Sequence, residues 1–96
     1  MDINKNINGN EATFAIEGWL DTQASSQLEE AVNGLPDEVE NLTMDLEKME
    51  YISSSGIRQI VAAHKKMNGK LTLKNVSAEA QDLFKMTGLD KRLNIV

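Results

Sequence analysis

The 96-residue chain has no cysteine, one proline (Pro36) and only four aromatic residues, Phe14, Trp19, Tyr51 and Phe84. Without thiols it can form no disulfide, no thiolate metal site and no cysteine nucleophile, and an intracellular, cytoplasmic setting is expected. Long apolar runs are missing too. None approaches the ~20 residues that a helix needs to cross a bilayer, so no membrane insertion is expected. The opening Met1-Asp2-Ile3-Asn4-Lys5-Asn6 lacks the basic then apolar order of a signal peptide. Basic charge is scarce: ten Lys and Arg against fifteen Asp and Glu leave a net charge of −5. Such a field repels nucleic acid and anionic lipid, and no direct nucleic-acid binding is expected. Arg58, Lys65 and Lys66 form a local exception, but lysines at the end of a helix complement its dipole. What is present, 41% hydrophobic residues and 26% charged, suits one compact domain spanning 1–96, expected to be a monomer.

Periodicity divides the chain cleanly. Asn8-Gly9 is the pair that most readily takes positive φ at both turn positions, so a hairpin is expected there with strands on both sides. On the second strand Ala12, Phe14, Ile16, Gly18 and Leu20 alternate with Thr13, Ala15, Glu17, Trp19 and Asp21, one face apolar and the other mostly polar. Asp21 or Thr22 then caps a helix with Ala24, Leu28, Ala31, Val32 and Leu35 at helical spacing, stopped by Gly34 and Pro36. Leu42, Met44 and Leu46 alternate in an inner strand that leads through Met49 and Ile52 into three serines. Ile57, Ile60, Val61, His64 and Met67 predict a second helix, stopped by Asn68-Gly69. Leu71, Leu73 and Val76 mark a strand, Ser77 caps a third helix bearing Ala80, Leu83 and Phe84, and Thr87-Gly88 ends it. Leu93, Ile95 and Val96 read as a last short strand. Met49, Met67 and Met86 read as core positions. The order predicts an α/β fold: a mixed, mostly parallel sheet with an N-terminal hairpin and helices packed against it.

The richest stretch is Tyr51-Ile52-Ser53-Ser54-Ser55-Gly56-Ile57-Arg58, where a strand-like run meets the start of a helix. The first turn of a helix has unpaired N–H groups and positive partial charge, so it accepts a serine side chain or a phosphate carried on one. Gly56, lacking a side chain, leaves room for a ligand or a partner's backbone. Two readings stand side by side: the serines cap the helix, or one of them is a chemical handle.

Three stretches resemble the STAS domain family of bacterial anti-sigma-factor antagonists, which also occurs on sulfate transporters. They are Gly18-Trp19-Leu20-Asp21, then Met44-Asp45-Leu46 through Ser54-Ser55-Gly56-Ile57-Arg58, and Leu83-Phe84-Lys85-Met86-Thr87-Gly88-Leu89, in order across nearly the whole chain. The resemblance implies a STAS fold and a protein that binds an anti-sigma factor, itself a serine kinase, until phosphorylation of Ser54 ends the contact. Ser53, Ser55 and Gly56 flank that position, and Asp21 matches the aspartate of the strand-end motif. Two departures stand out. Many switch-type members have an acid where this chain has Ser53, and an acid where it has Trp19. Trp19 falls on the polar face of its strand, where a large aromatic either anchors a partner together with Asp21, Ser54 and Arg58, or packs under the first helix or the Ser54 loop. The competing expectation is a non-switching scaffold subunit, of a lipid-transport ATPase or a stressosome-type assembly, in which Ser54 only caps its helix.

An enzyme is not expected. Ser54 and His64 are the one nucleophile and imidazole pair, and ten helical residues separate them by ~15 Å, beyond hydrogen-bond reach. His64 shares the apolar stripe of its helix and reads as a packing residue. Glu29-Glu30, Asp37-Glu38, Glu47 and Glu50 read as solvated acids, so no metal and no cofactor are expected.

Overall fold

The computed structural model describes every residue from Met1 to Val96. In chain order it contains β1 (Asp2–Asn8), β2 (Glu11–Leu20), α1 (Thr22–Asn33), β3 (Asn41–Asp45), β4 (Met49–Ile52), α2 (Ser54–Lys66), β5 (Leu71–Lys74), α3 (Ala78–Met86), a 3₁₀ turn (Leu89–Lys91) and β6 (Asn94–Ile95). The sheet runs β1-β2-β3-β5-β6, with β1 antiparallel to β2 and the other pairs parallel. This is the mixed, mostly parallel α/β sheet expected from the order of elements.

The hairpin turn lies one residue later than its sequence suggests. Asn8 pairs with Glu11 as the last rung of the ladder, so Gly9-Asn10 makes the turn, and of the two only Gly9 has positive φ, at 63°. Register decides this. Ile3 opposite Ile16 and Ile7 opposite Ala12 put the apolar side of β1 on the apolar side of β2, and a slip of one residue would turn them outward. A two-residue loop with Gly in its first central position satisfies that register.

The inner strand expected at Leu42, Met44 and Leu46 is β3, and the stretch through Met49 and Ile52 that leads from it to the serines forms a second strand, β4. The first five residues of β2 pair with β3, the last three pair with β4, and the register shifts between Gly18 and Trp19, where Gly18 has φ of 96°. The break between β3 and β4 is local hydrogen-bond chemistry: Asp45 Oδ1 accepts the Glu47 N–H at 3.1 Å, and the Met49 N–H donates to the Leu46 carbonyl at 3.1 Å.

One parity of the strands carries the core. Phe14, Ile16, Met44 and Leu73 are wholly buried, whereas Thr13, Thr43 and Thr72, which pair across three strands on the opposite face, are half-buried. The helices therefore cover one side of the sheet. Leu28 of α1, Ile60 of α2, and Ala80 and Phe84 of α3 complete a single apolar cluster with it. Two expected core positions lie elsewhere: Leu83 is 37% exposed and Met86 82% exposed. The nine-residue α3 buries only Ala80 and Phe84, a stripe too narrow to include either. Val96 is also exposed, because β6 ends at Ile95, although the Val96 N–H still donates to the Leu73 carbonyl at 3.0 Å. No helix is long and apolar enough to cross a membrane.

Candidate functional site

The parallel strands β2 and β4 end side by side, with Leu20 opposite Ile52, and each leads directly into a helix. The Ser53 N–H donates to the Leu20 carbonyl at 2.9 Å, so the entry of α2 is tied to the entry of α1. Asp21 is the N-cap of α1: its Oδ1 accepts the Ala24 N–H at 2.9 Å, while the buried Ser25 hydroxyl donates to the Asp21 carbonyl at 2.8 Å. The strand-end aspartate thus orders its own helix.

At α2 the cap is Ser53, with extended backbone and an Oγ that accepts the Gly56 N–H at 3.1 Å. This corrects the reading in which Ser54 does the capping. Ser54 is the first residue of the helix, exposed, and its hydroxyl takes no part in the side-chain hydrogen bonds that hold the site. The departure from family pattern at position 53 acquires a physical meaning here. Serine and aspartate are both strong N-caps, so either residue starts the helix at this position. Ser55 is half-buried beside it.

Gly56 requires a second correction. It is buried, and a Cβ built on it would come within 2.8 Å of both Leu20 Cγ and the Leu20 carbonyl and 3.0 Å of Ile52 Cγ1. The space left by the missing side chain is filled by the protein's own β2 and β4, not open to a partner. Gly56 lets α2 sit close against the strand ends, which is what holds Ser54 at the surface. Arg58 is exposed, four residues beyond Ser54 and therefore on the same face of α2.

Trp19 is 58% exposed, which rules out packing under the first helix or the Ser54 loop. It lies on the sheet face opposite Phe14 and Ile16 and pairs in register with Tyr51, the two ring centroids 5.1 Å apart and tilted by 41°. Tyr51, 48% exposed, is a surface residue that the sequence did not single out. Its pairing with Trp19 depends on the β2–β4 register, although an aromatic two residues before Ser53 was a signal. The structure thus gathers Trp19, Asp21, Ser53 and Ser54 at one end of the sheet, adds Arg58 one turn along α2, and turns Gly56 inward. His64 is half-buried near the far end of the same helix, so it forms no pair with Ser54.

The two helix starts differ in charge: the Asp21 carboxylate caps α1, whereas the cap of α2 is the neutral Ser53. Neither α1 nor α2 has an acid in its first turn, and His64, Lys65 and Lys66 occupy the last turn of α2. Outside the site, the Asn75 side-chain amide and then the Glu47 N–H hold the Asp45 carboxyl below the usual aspartate range.

A mixed sheet that delivers two capped helices to one edge, with an unengaged hydroxyl beside exposed aromatics, is a small α/β domain with an open surface site. The chain belongs to the STAS domain family, whose match spans residues 2–96. It is 30% identical over 100 residues to the anti-sigma-B factor antagonist of Bacillus subtilis (strain 168), covering 99% of this chain and 92% of that protein. Among solved structures it resembles an anti-sigma factor antagonist from Mycobacterium paratuberculosis, with a TM-score of 0.85 and 20% identity over 98% of this chain and 83% of that one. It also resembles the anti-sigma factor antagonist SpoIIAA in its unphosphorylated form, with a TM-score of 0.80 and 17% identity over 99% of this chain and 88% of that one. At these identities the two solved structures speak for the fold.

Proposed function

We propose that this chain is an anti-sigma-factor antagonist. It binds an anti-sigma factor that is also a serine kinase, and phosphorylation of Ser54 ends the binding and so regulates sigma-factor-dependent transcription. The observation that carries this reading is the exposed, unengaged Ser54 hydroxyl at the first position of α2, beside a Ser53 that already caps the helix. The curated relative supports the class of partner.

In the transfer, Ser54 Oγ forms a bond to the γ-phosphorus of the kinase's ATP, ADP leaves, and the hydroxyl proton passes to a base of the kinase. The product carries about −1.5 to −2 charge and three acceptor oxygens where a neutral hydroxyl was. The domain itself accommodates that group: the helix N-terminus attracts it, no first-turn acid of α2 repels it, and Arg58 stands one turn away on the same face. A partner surface fitted to a small neutral hydroxyl does not, so the change acts on the complex and leaves the fold alone. Trp19, Asp21, Ser55 and Arg58 border the contact, with Trp19 as its aromatic anchor. The scaffold reading gave Ser54 only the cap, a role that Ser53 fills.

The test is affinity capture from the source cells with folded wild type, Ser54→Asp and Trp19→Ala, each retained protein being identified by mass. Retention of a serine kinase by wild type, its loss with Ser54→Asp and about tenfold weaker binding with Trp19→Ala are the expected results. Equal retention of the same transporter or scaffold subunits by all three overturns the reading.

A further inference from the structure

A second surface, separate from the Ser54 hydroxyl, runs along β4. This strand pairs with β2 alone, so its other edge has no strand beside it. Between that edge and α3 lies a groove of about 390 Å³. Met49, Tyr51 and Leu83 give it apolar walls, Glu50, Glu79 and Asp82 give it acidic ones, and no Lys, Arg or His lines it.

We propose that this groove takes an extended, basic segment of a partner protein, which adds as a strand to the free edge of β4. Such docking depends on the proposed function only in that the chain is a protein-binding domain. A strand paired on one side leaves alternate N–H and C=O groups without a ladder partner; on β4 the Met49 N–H is already taken by the Leu46 carbonyl, and an incoming strand satisfies the rest. The four residues of β4 span ~13 Å, room for about four residues of a partner. An aliphatic or aromatic side chain of that segment packs on Leu83 and Tyr51, which folding leaves partly in water. Lysine or arginine on either side meets Glu50, Glu79 and Asp82.

The other sheet edges are built differently. On β1, Lys5 pairs with the core residue Phe14, so a charged side chain lies on the apolar side of that edge, a feature that discourages further pairing. At the opposite end β6 has two residues. The β4 edge is longer than β6 and has no lysine, and its acids would face one another if two copies of this chain met there. Like-charge repulsion therefore disfavours self-association and selects a basic partner.

The experiment is selection of a displayed random dodecapeptide library on the full 96-residue chain, after which the enriched peptides are titrated on wild type and on Glu79→Lys/Asp82→Lys, with both proteins first shown to be folded by their amide spectra. The selected peptides are expected to have an apolar residue flanked by Lys or Arg, to bind the double variant at least about tenfold more weakly, and to slow amide exchange in β4. Ser54→Asp is expected to bind them as wild type does. Acidic or uncharged consensus peptides, equal binding to the double variant, unchanged exchange in β4 or no enrichment at all each overturn the proposal. A failed phospho-switch shows itself separately, as kinase retention by Ser54→Asp, so the two readings can fall independently.

Discussion

The entries of α2 and α3 are built from the same parts. Each begins at an extended serine whose Oγ accepts the N–H three residues on, at 3.1 Å from Ser53 to Gly56 and at 3.1 Å from Ser77 to Ala80. They differ in the residues after the cap. In α3 the first residue is Ala78, Glu79 puts an acid in the first turn, and the third position carries the buried Ala80 with its Cβ. In α2 the first residue is the exposed Ser54, the first turn holds no acid, and the third position is Gly56, pressed against Leu20 and Ile52. Their anchors differ as well. A polar clamp, Asn75 to Asp45 at 3.0 Å, fixes the turn before α3, whereas close apolar packing fixes α2. A serine cap alone therefore says little about function; the neighbouring position, and the surface it is held against, are what distinguish the two helix starts.

The comparison can be broken at its tightest point first. Gly56→Ala is expected to lower stability by about 1–3 kcal/mol, overpacking outweighing the ~1 kcal/mol by which alanine is the better helix former. Ala80→Gly at the matching position of α3 costs about 1–2 kcal/mol, through backbone entropy and the loss of a buried methyl. Urea unfolding of both variants reads the difference, and a neutral Gly56→Ala would mean that α2 does not need its close approach. Next come the caps. Ser53→Ala and Ser77→Ala each remove about 1 kcal/mol, and Ser53→Asp retains stability within about 0.5 kcal/mol, because aspartate caps as serine does.

A smaller effect separates the anchors by pH. The Asn75 amide and the Glu47 N–H lower the folded-state pKa of Asp45 below its unfolded value. Its contribution is therefore present above the unfolded pKa and is lost as pH falls through the folded one. Acid unfolding of wild type should show a loss in the low-pH region that Asp45→Asn lacks; parallel curves would remove the polar clamp from the account. Smallest of all, Ser54→Ala should leave stability within about 0.5 kcal/mol, since its hydroxyl is exposed and caps nothing. A loss near that of Ser53→Ala, in the same denaturation series, would move the cap to Ser54.

Much of this was legible in the sequence because it is local. Asp21 and Ser77 act as caps, Gly34 and Gly88 end their helices or come just after the end, and Phe14, Ile16, Leu28, Met44, Ile60 and Phe84 lie in the core, all from spacing and residue type. The misread positions depended on partners far away in the chain. The turn shifted to Gly9-Asn10 because β2 sets the register; Leu83 and Met86 stayed outside because α3 buries a narrow stripe. Tyr51 acquired meaning only from its place beside Trp19.

By itself, then, the sequence determined most of the elements, the caps Asp21 and Ser77 and the apolar faces, since hydrogen bonding within a turn and the helical and strand periods need only near neighbours. The tertiary structure alone decided that Ser53 caps while Ser54 is left free, that Gly56 serves packing, and that β4 keeps an open edge. Those properties arise where β2, β4 and α2 converge, and steric contact between them is set by the way the chain folds back on itself.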